Sequence, residues 1–118
     1  MQSHDLGIRG EEMACRYLQT LGYIILERNW RFQKAEIDIL AAKDGILAVV
    51  EVKTRSSNKF GDPAGFISRN QVEQLRKAAN AYVNSNRLNL EVRFDFIGIL
   101  LRGNKEKLTH LKDACFIF

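Results

Sequence analysis

Glu36-Ile37-Asp38-Ile39-Leu40-Ala41-Ala42-Lys43-Asp44-Gly45-Ile46-Leu47-Ala48-Val49-Val50-Glu51-Val52-Lys53 is the stretch on which the fold turns. Both of its ends alternate charged with β-branched apolar residues at period two, the pattern of half-buried strands. Asp44-Gly45 between them is a strong signal for a two-residue hairpin loop. Such a loop sets Lys43 opposite Ile46, and counting outward brings Asp38 opposite Glu51 and Glu36 opposite Lys53. Residues two apart share a face, so all four charged side chains project from one side. Directly opposed Cβ atoms lie roughly 4.5–5.5 Å apart, and like charges there are destabilising. Two carboxylates held among Ile, Leu and Val at that spacing require a cation, and the hairpin reads as a metal site. A four-residue loop would instead set Asp38 opposite Val49, with Glu51 diagonal to it and still within reach of a shared ion. A slip of one residue would turn Asp38 away.

The flanks of this hairpin predict the remaining elements. From about His4 to Leu21 the spacing of Ala14, Tyr17, Leu18 and Leu21 is helical, with Ser3 as cap and Gly22 as terminator. Glu11 falls on that inward stripe and needs a partner, either an arginine, the helix dipole or the hairpin's site. Tyr23 to about Arg31 reads as a strand, with Tyr23, Ile25 and Glu27 on one face, and its Trp30 packs on the hairpin or stacks on a base. Three antiparallel strands in succession make a meander. The polar, basic segment Thr54–Pro63 reads as a loop leaving the strand end at Lys53, where substrate contact or a plain surface connection both fit. A second helix, about Arg69 to Asn84, buries Val72, Leu75, Ala79, Tyr82 and Val83, and Ser68-x-x-Gln71 has capping-box spacing. Gln71 either caps or reaches the carboxylate face. Glu91–Leu101 alternates as a strand, Val92, Phe94 and Phe96 one way and Arg93, Asp95, Ile97 and Ile99 the other. The helix-containing connection permits parallel pairing and a mixed sheet. Leu108–Leu111 and Cys115–Phe118 read as short edge strands. The expected architecture is a single α/β domain over residues 1–118: a helix, a three-strand antiparallel meander, a crossover helix and further strands.

Composition narrows the class. The chain has 118 residues, 46% of them apolar, and a single Pro, which suits one folded domain with a real core. No apolar run approaches the ~20 residues of a membrane span, and the N-terminus lacks a signal peptide's apolar stretch. A cytoplasmic location is the expectation, with Cys15 and Cys115 as buried thiols. His4 and His110 stand at no ligand spacing from a Cys, which argues against zinc. The net charge is +4, and all of that excess lies between Lys53 and Lys77, in Lys53, Arg55, Lys59, Arg69, Arg76 and Lys77 against Asp62 and Glu73. A polyanion, most simply nucleic acid, would be drawn there; a plain solvated basic face is the alternative. Arg69, Arg76 and Lys77 are candidates for phosphate contacts.

Asp38 and Glu51, with Glu11 or Glu36 as an additional acid, offer hard oxygen ligands for Mg²⁺ or Mn²⁺. Lys53, two residues beyond Glu51 on the same face, can place an ammonium at the same reacting centre. A metal, carboxylates and an adjacent Lys suit phosphodiester hydrolysis. Glu-x-Lys alone is common on solvent-facing strands; an Asp thirteen residues before it, both strands flanked by apolar residues, is a more specific pattern.

These residues carry a resemblance. Asp38 followed by Glu51-Val52-Lys53 resembles the PD-(D/E)xK nuclease signature. More closely, the chain resembles the YraN-like family of small bacterial proteins, predicted endonucleases of that restriction-endonuclease-like superfamily and similar in layout to archaeal Holliday-junction resolvases. The motifs are Gly7-x-x-Gly10-Glu11 with Ala14 and Leu18, Gly22-Tyr23, Asn29-Trp30-Arg31, Glu36-Ile37-Asp38, Val50-Glu51-Val52-Lys53-x-Arg55 and Arg93-Phe94-Asp95, spanning Gly7 to about Ile99. The resemblance implies Asp38, Glu51 and Glu11 as metal ligands, Lys53 as the catalytic lysine and Gln71 as a polar site residue. Ile37 replaces the superfamily's Pro, Ala35 the family's Gly, and Asn70-Gln71 the frequent Lys-Gln. The expected function is that of a Mg- or Mn-dependent endonuclease hydrolysing DNA, selective for branched or damaged forms, with Arg55, Lys59, Arg69, Arg76 and Lys77 on nucleic acid. A second copy of the chain, or a helicase or repair partner, is a candidate companion. The alternative is a non-catalytic nucleic-acid-binding or partner-docking module on the same fold.

Overall fold

In the computed structural model, which describes residues 3–56 and 68–114, Asp44 and Gly45 adopt positive φ angles of 50° and 78°. A two-residue type I′ loop requires that backbone. The loop joins β2 (Ala35–Lys43) to β3 (Ile46–Arg55), and their ladder runs from Lys43↔Ile46 to Ile39↔Val50, the register expected of a two-residue turn. Around the hairpin lie α1 (Ser3–Thr20), β1 (Ile24–Phe32), α2 (Arg69–Ser85), β4 (Glu91–Arg102) and β5 (Lys105–Leu111). The strands form one sheet in the order β1-β2-β3-β4-β5. β4 pairs with β3 in parallel while the other neighbours are antiparallel. The described residues thus form one α/β domain on a mixed sheet, as the alternation predicts. The expected edge strand at Leu108 begins earlier, at Lys105, after a turn in which Gly103 has a φ of 60°. The expected strand Cys115–Phe118, most of the Thr54–Pro63 loop and Lys59 lie outside the described residues.

The helices cover opposite faces. Ala14, Cys15 and Leu18 of α1 pack on Ile39, Val50, Ile97 and Ile99, whereas Leu75, Ala78, Ala79 and Tyr82 of α2 pack on Ile37, Leu40, Val49 and Phe94. Leu21, expected inside, is 39% exposed. The helix stops at Thr20, and the Leu21 N–H turns back onto the Tyr17 and Leu18 carbonyls; Cys15 takes the buried place.

Gly10 sets how closely α1 approaches β3. A Cβ on it would overlap Thr54 Oγ1 and lie 2.8 and 2.9 Å from Thr54 Cβ and Cγ2. In a helix interior Gly→Ala ordinarily stabilises by about 1 kcal/mol. Gly10→Ala should instead destabilise by about 1–3 kcal/mol through overpacking, with partial recovery in Gly10→Ala/Thr54→Ala. Denaturant midpoints of the two variants check this sign.

Behind the hairpin, on the α1 side, Asp95 is buried in a closed polar network. Arg93 Nε and Nη2 donate to its two carboxylate oxygens at 2.8 Å, and Arg93 Nη2 also donates to Tyr23 Oη at 2.6 Å. His110 Nε2 donates to Asp95 Oδ2 at 2.8 Å, which leaves His110 Nδ1 to accept from Tyr17 Oη at 2.9 Å. Burial pushes the Asp95 carboxyl up, but the His110 and Arg93 hydrogen bonds and the Arg93 charge outweigh it and hold the carboxyl below its ordinary value. The network ties α1 and Tyr23, the residue before β1, to β4 and β5. Asp95→Asn leaves Arg93 buried without its carboxylate, so stability should fall by about 3 kcal/mol. A Tm decrease of about 10 °C is expected for a chain of this size.

Candidate active site

Asp38 lies where the period-two alternation of β2 is interrupted. Ile39 packs on the α1 side and Ile37 on the α2 side, although strict alternation would give them one face. On β1 the same change falls between Arg28, which pairs with Glu12 of α1 at 2.8 Å, and Trp30, which meets the Tyr82 ring of α2. Between these two stands Asn29, whose φ is 53°. The β2–β3 ladder stops at Ile39↔Val50. Just past its end, the Val52 N–H donates to Asp38 Oδ2 at 2.8 Å. The carboxylate thus takes a donor that a regular ladder would give to a backbone carbonyl. This departs from the regular hairpin expected of the sequence: Glu36 does not pair with Lys53 but forms an ion pair across to Arg31 of β1 at 3.0 Å.

Asp38 and Glu51 nevertheless converge. Both line a cleft of about 380 Å³ together with Glu36 and, from α2, Gln71 and Gln74. Glu51 is 9% exposed, and Lys53 Nζ lies 3.4 Å from its Oε1. Burial and then the charge of Glu51 push the Asp38 carboxyl up to about 7, the Val52 hydrogen bond partly opposing them. Burial also raises Glu51, against the pull of Lys53. Two buried carboxylates in one cleft, both with raised proton affinity, are a site for a proton or a cation.

Glu11 is half-buried on α1, and its charge raises both Asp38 and Glu51. The arginine ion pair of a glutamate on that helix belongs to Glu12, with Arg28 of β1. Among the described residues no three His, Cys, Asp or Glu side chains close into a metal-holding group. The expected trio of Asp38, Glu51 and Glu11 therefore reduces to a converged pair with a third charge felt from α1.

Ser68 caps α2 by accepting the Gln71 N–H at 3.1 Å, while Gln71 also lines the cleft. The capping spacing is thus met through the Gln71 backbone, and the residue stands at the wall of the carboxylate cleft. Of the expected phosphate contacts, Lys77 lines an adjoining cleft and Arg69 is exposed. Arg76 is engaged elsewhere, by Glu73 at 3.4 Å and by the Phe94 ring at 5.6 Å. Arg55 Nη1 donates to the Thr54 carbonyl at 2.9 Å. Sequence reasoning missed Lys34 and Gln74, which line both clefts. No short motif joins a β-turn residue to a helical one forty positions away.

Residues 10–99 match the uncharacterised protein family UPF0102. The chain belongs to this family. Full-length relatives agree: the UPF0102 protein of Flavobacterium psychrophilum is 50% identical over 117 residues, covering 99% of this chain and 98% of its own. That of Christiangramia forsetii is 46% identical with the same coverage, and that of Syntrophomonas wolfei is 40% identical over 95% of this chain and 98% of its own. Among the described residues of this UPF0102 member no helix is long and apolar enough to cross a membrane.

Proposed function

We propose that this UPF0102 protein is a divalent-metal-dependent endonuclease that hydrolyses DNA phosphodiester bonds. The observation that carries the reading is the convergence of Asp38 and Glu51, from adjoining strands, in one cleft beside the Lys53 ammonium. The resemblance of Asp38…Glu51-Val52-Lys53 to the PD-(D/E)xK signature, and of the whole chain to YraN-like proteins, supports it.

The donor set fits Mg²⁺ or Mn²⁺: two carboxylates, both raised by burial, offer hard oxygens to a hard cation. Asp38 and Glu51 would hold the ion, and Glu11 adds negative charge from α1. When bound, such an ion polarises phosphate and acidifies water. Lys53, oriented by its ion pair with Glu51, donates from Nζ to a non-bridging phosphate oxygen as negative charge builds there. Gln71, on the α2 wall, orients the phosphate through its amide. The Val52 N–H fixes Asp38 Oδ2, leaving Oδ1 for the cation.

Incubation of the full chain with branched, single-stranded and duplex DNA in Mg²⁺ or Mn²⁺ tests the proposal. Metal-dependent cleavage that Asp38→Ala and Lys53→Ala abolish is expected, greatest on branched or damaged DNA. Cleavage unchanged by those substitutions would point to a contaminant. A non-catalytic DNA-binding module is the second reading, favoured by the convergence of only two acids rather than three among the described residues. It predicts binding without cleavage.

A further inference from the structure

The cleft of Asp38 and Glu51 does not end at α2. Lys34, Ala35 and Gln74 line it and also a second cleft of about 230 Å³, which continues past the β1–β2 turn to Phe32, Gln33 and Lys77. The resulting groove is chemically graded. Its first part holds the acids Glu36, Asp38 and Glu51, while the second is lined by two lysines and no acid. Three side-chain amides, Gln33, Gln71 and Gln74, stand along its length. At the far end the half-buried Phe32 ring lies stacked on Trp30, centroids 6.1 Å apart and planes 9° from parallel.

Each part suits a different piece of a polynucleotide. Lysines take phosphates as point charges. Amides carry both donors and acceptors and can pair with base edges. Base edges used in pairing are accessible only on an unpaired strand, and a ring beside a basic groove is the stacking element of single-strand binders. A duplex, with its base edges paired and its bases stacked, would leave the amides and the ring unused and would not be drawn into the groove.

Resting on the nuclease reading of the Asp38 cleft, we infer that the groove from Gln71 past Lys34, Gln74 and Lys77 to Phe32 seats an unpaired nucleic-acid strand. The substrate is then a strand that leaves a duplex, at a flap, fork or branch, with its unpaired part running along α2 and the β1–β2 turn. Lys34 and Lys77 are phosphate contacts, Gln33 and Gln74 contact base edges, and Phe32 stacks.

The test measures binding of fluorescent 20-nucleotide single-stranded DNA, and of blunt duplex of the same length, across a salt series. All proteins carry Asp38→Asn, so that cleavage does not intervene. Lys34→Ala/Lys77→Ala is compared with Lys105→Ala/Lys107→Ala, which removes equal charge from exposed β5. The expected result is roughly tenfold weaker single-strand binding in the first pair, with the logarithmic salt slope lower by about 1.4, about 0.7 for each lost phosphate contact. The β5 pair and all duplex affinities should move less than threefold. Equal losses on duplex and single strand would overturn the inference in favour of a phosphate-only patch. Unchanged single-strand binding, or none in the parent protein, would overturn it outright. Gln74→Ala should weaken single-strand binding alone and provides a second readout. Failure of the nuclease reading is seen separately, as absence of metal-dependent cleavage by the chain with Asp38 intact while the Lys34/Lys77 effect on binding persists.

Discussion

Asp38→Ala is expected to lower metal-dependent DNA cleavage by about 10³-fold or more. A ligand that anchors the cation contributes several kcal/mol of transition-state stabilisation, and about 4 kcal/mol corresponds to three orders of magnitude in rate. Two effects combine in that variant. On the proposed reading a bound cation would lose one of its two carboxylates, and the Val52 N–H, which now donates to Asp38 Oδ2 at 2.8 Å, loses its acceptor at a stability cost of about 1–3 kcal/mol. Asp38→Asn separates them, because the amide oxygen still accepts from Val52 while the charge is gone. Both variants should be inactive, but only the alanine should be less stable than the parent at pH 5. Lys53→Ala keeps both carboxylates and should lose about 10²- to 10³-fold, the range for removing one donor to a developing anion. Metal binding should survive this change. A DNA cleavage assay with single-turnover rates, run beside denaturant melts, resolves all three variants. Asp38→Asn cleaving at the parent's rate would contradict the assigned role.

The second large effect is on stability, and its sign is unusual for a carboxylate. Asp38 titrates near 7 in the folded chain against an ordinary value of 3.8. Below pH 3.8 both states hold the proton. Between about pH 3.8 and 7 the folded chain keeps a proton that the unfolded chain has released, so stability falls as pH rises, by up to about 1.4 kcal/mol per pH unit. Above pH 7 this loss is complete and constant. Glu51, also raised, adds to the slope in the same direction. Metal-free protein should therefore be more stable at pH 5 than at pH 8, and Asp38→Asn should flatten the difference. Addition of Mg²⁺ or Mn²⁺ at about a hundred times its dissociation constant should return about 2.7 kcal/mol at pH 8. The same addition should do little for Asp38→Asn. Asp95, whose carboxyl is held low, acts oppositely: its contribution is present above pH 3.8 and disappears as pH falls further. The two carboxylates thus bend the stability profile in separate windows.

The hairpin was legible in the sequence because its two determinants are local. Asp44-Gly45 specifies the turn, and the turn fixes the ladder from Lys43↔Ile46 to Ile39↔Val50. The faces of β4 followed from alternation alone, with Arg93 and Asp95 opposite to Phe94 and Phe96, since its parallel pairing with β3 is unbroken from Ile46↔Glu91 to Arg55↔Leu100. The site itself was only half legible. Period-two counting assumes a regular strand, whereas the face of β2 resets at Asp38 opposite the positive-φ Asn29, and no residue type in β2 announces that reset. Asp38 and Glu51 meet despite it, because Asp38 reaches the Val52 N–H. Glu36, predicted opposite Lys53, is drawn to Arg31 instead. The Asp95 network was beyond reach for another reason. Its members Tyr17, Tyr23, Arg93, Asp95 and His110 come from both ends of the chain, and only Arg93-Phe94-Asp95 shows as a motif. Lys34 and Gln74 are of the same kind, neighbours through packing alone.

Calorimetric titration of Mn²⁺ into the metal-free chain, at pH 6.5 and 8.5 in buffers of different ionisation enthalpy, tests the convergence of Asp38 and Glu51 on one cation most directly. A protonated carboxyl must release its proton to the solvent when it becomes a ligand. The expected result is one-site binding at both pH values, with close to one proton released at pH 6.5, almost none at pH 8.5, and no measurable binding to Asp38→Asn. Binding that ignores both the pH and the Asp38 substitution, or no binding at all, would contradict the account.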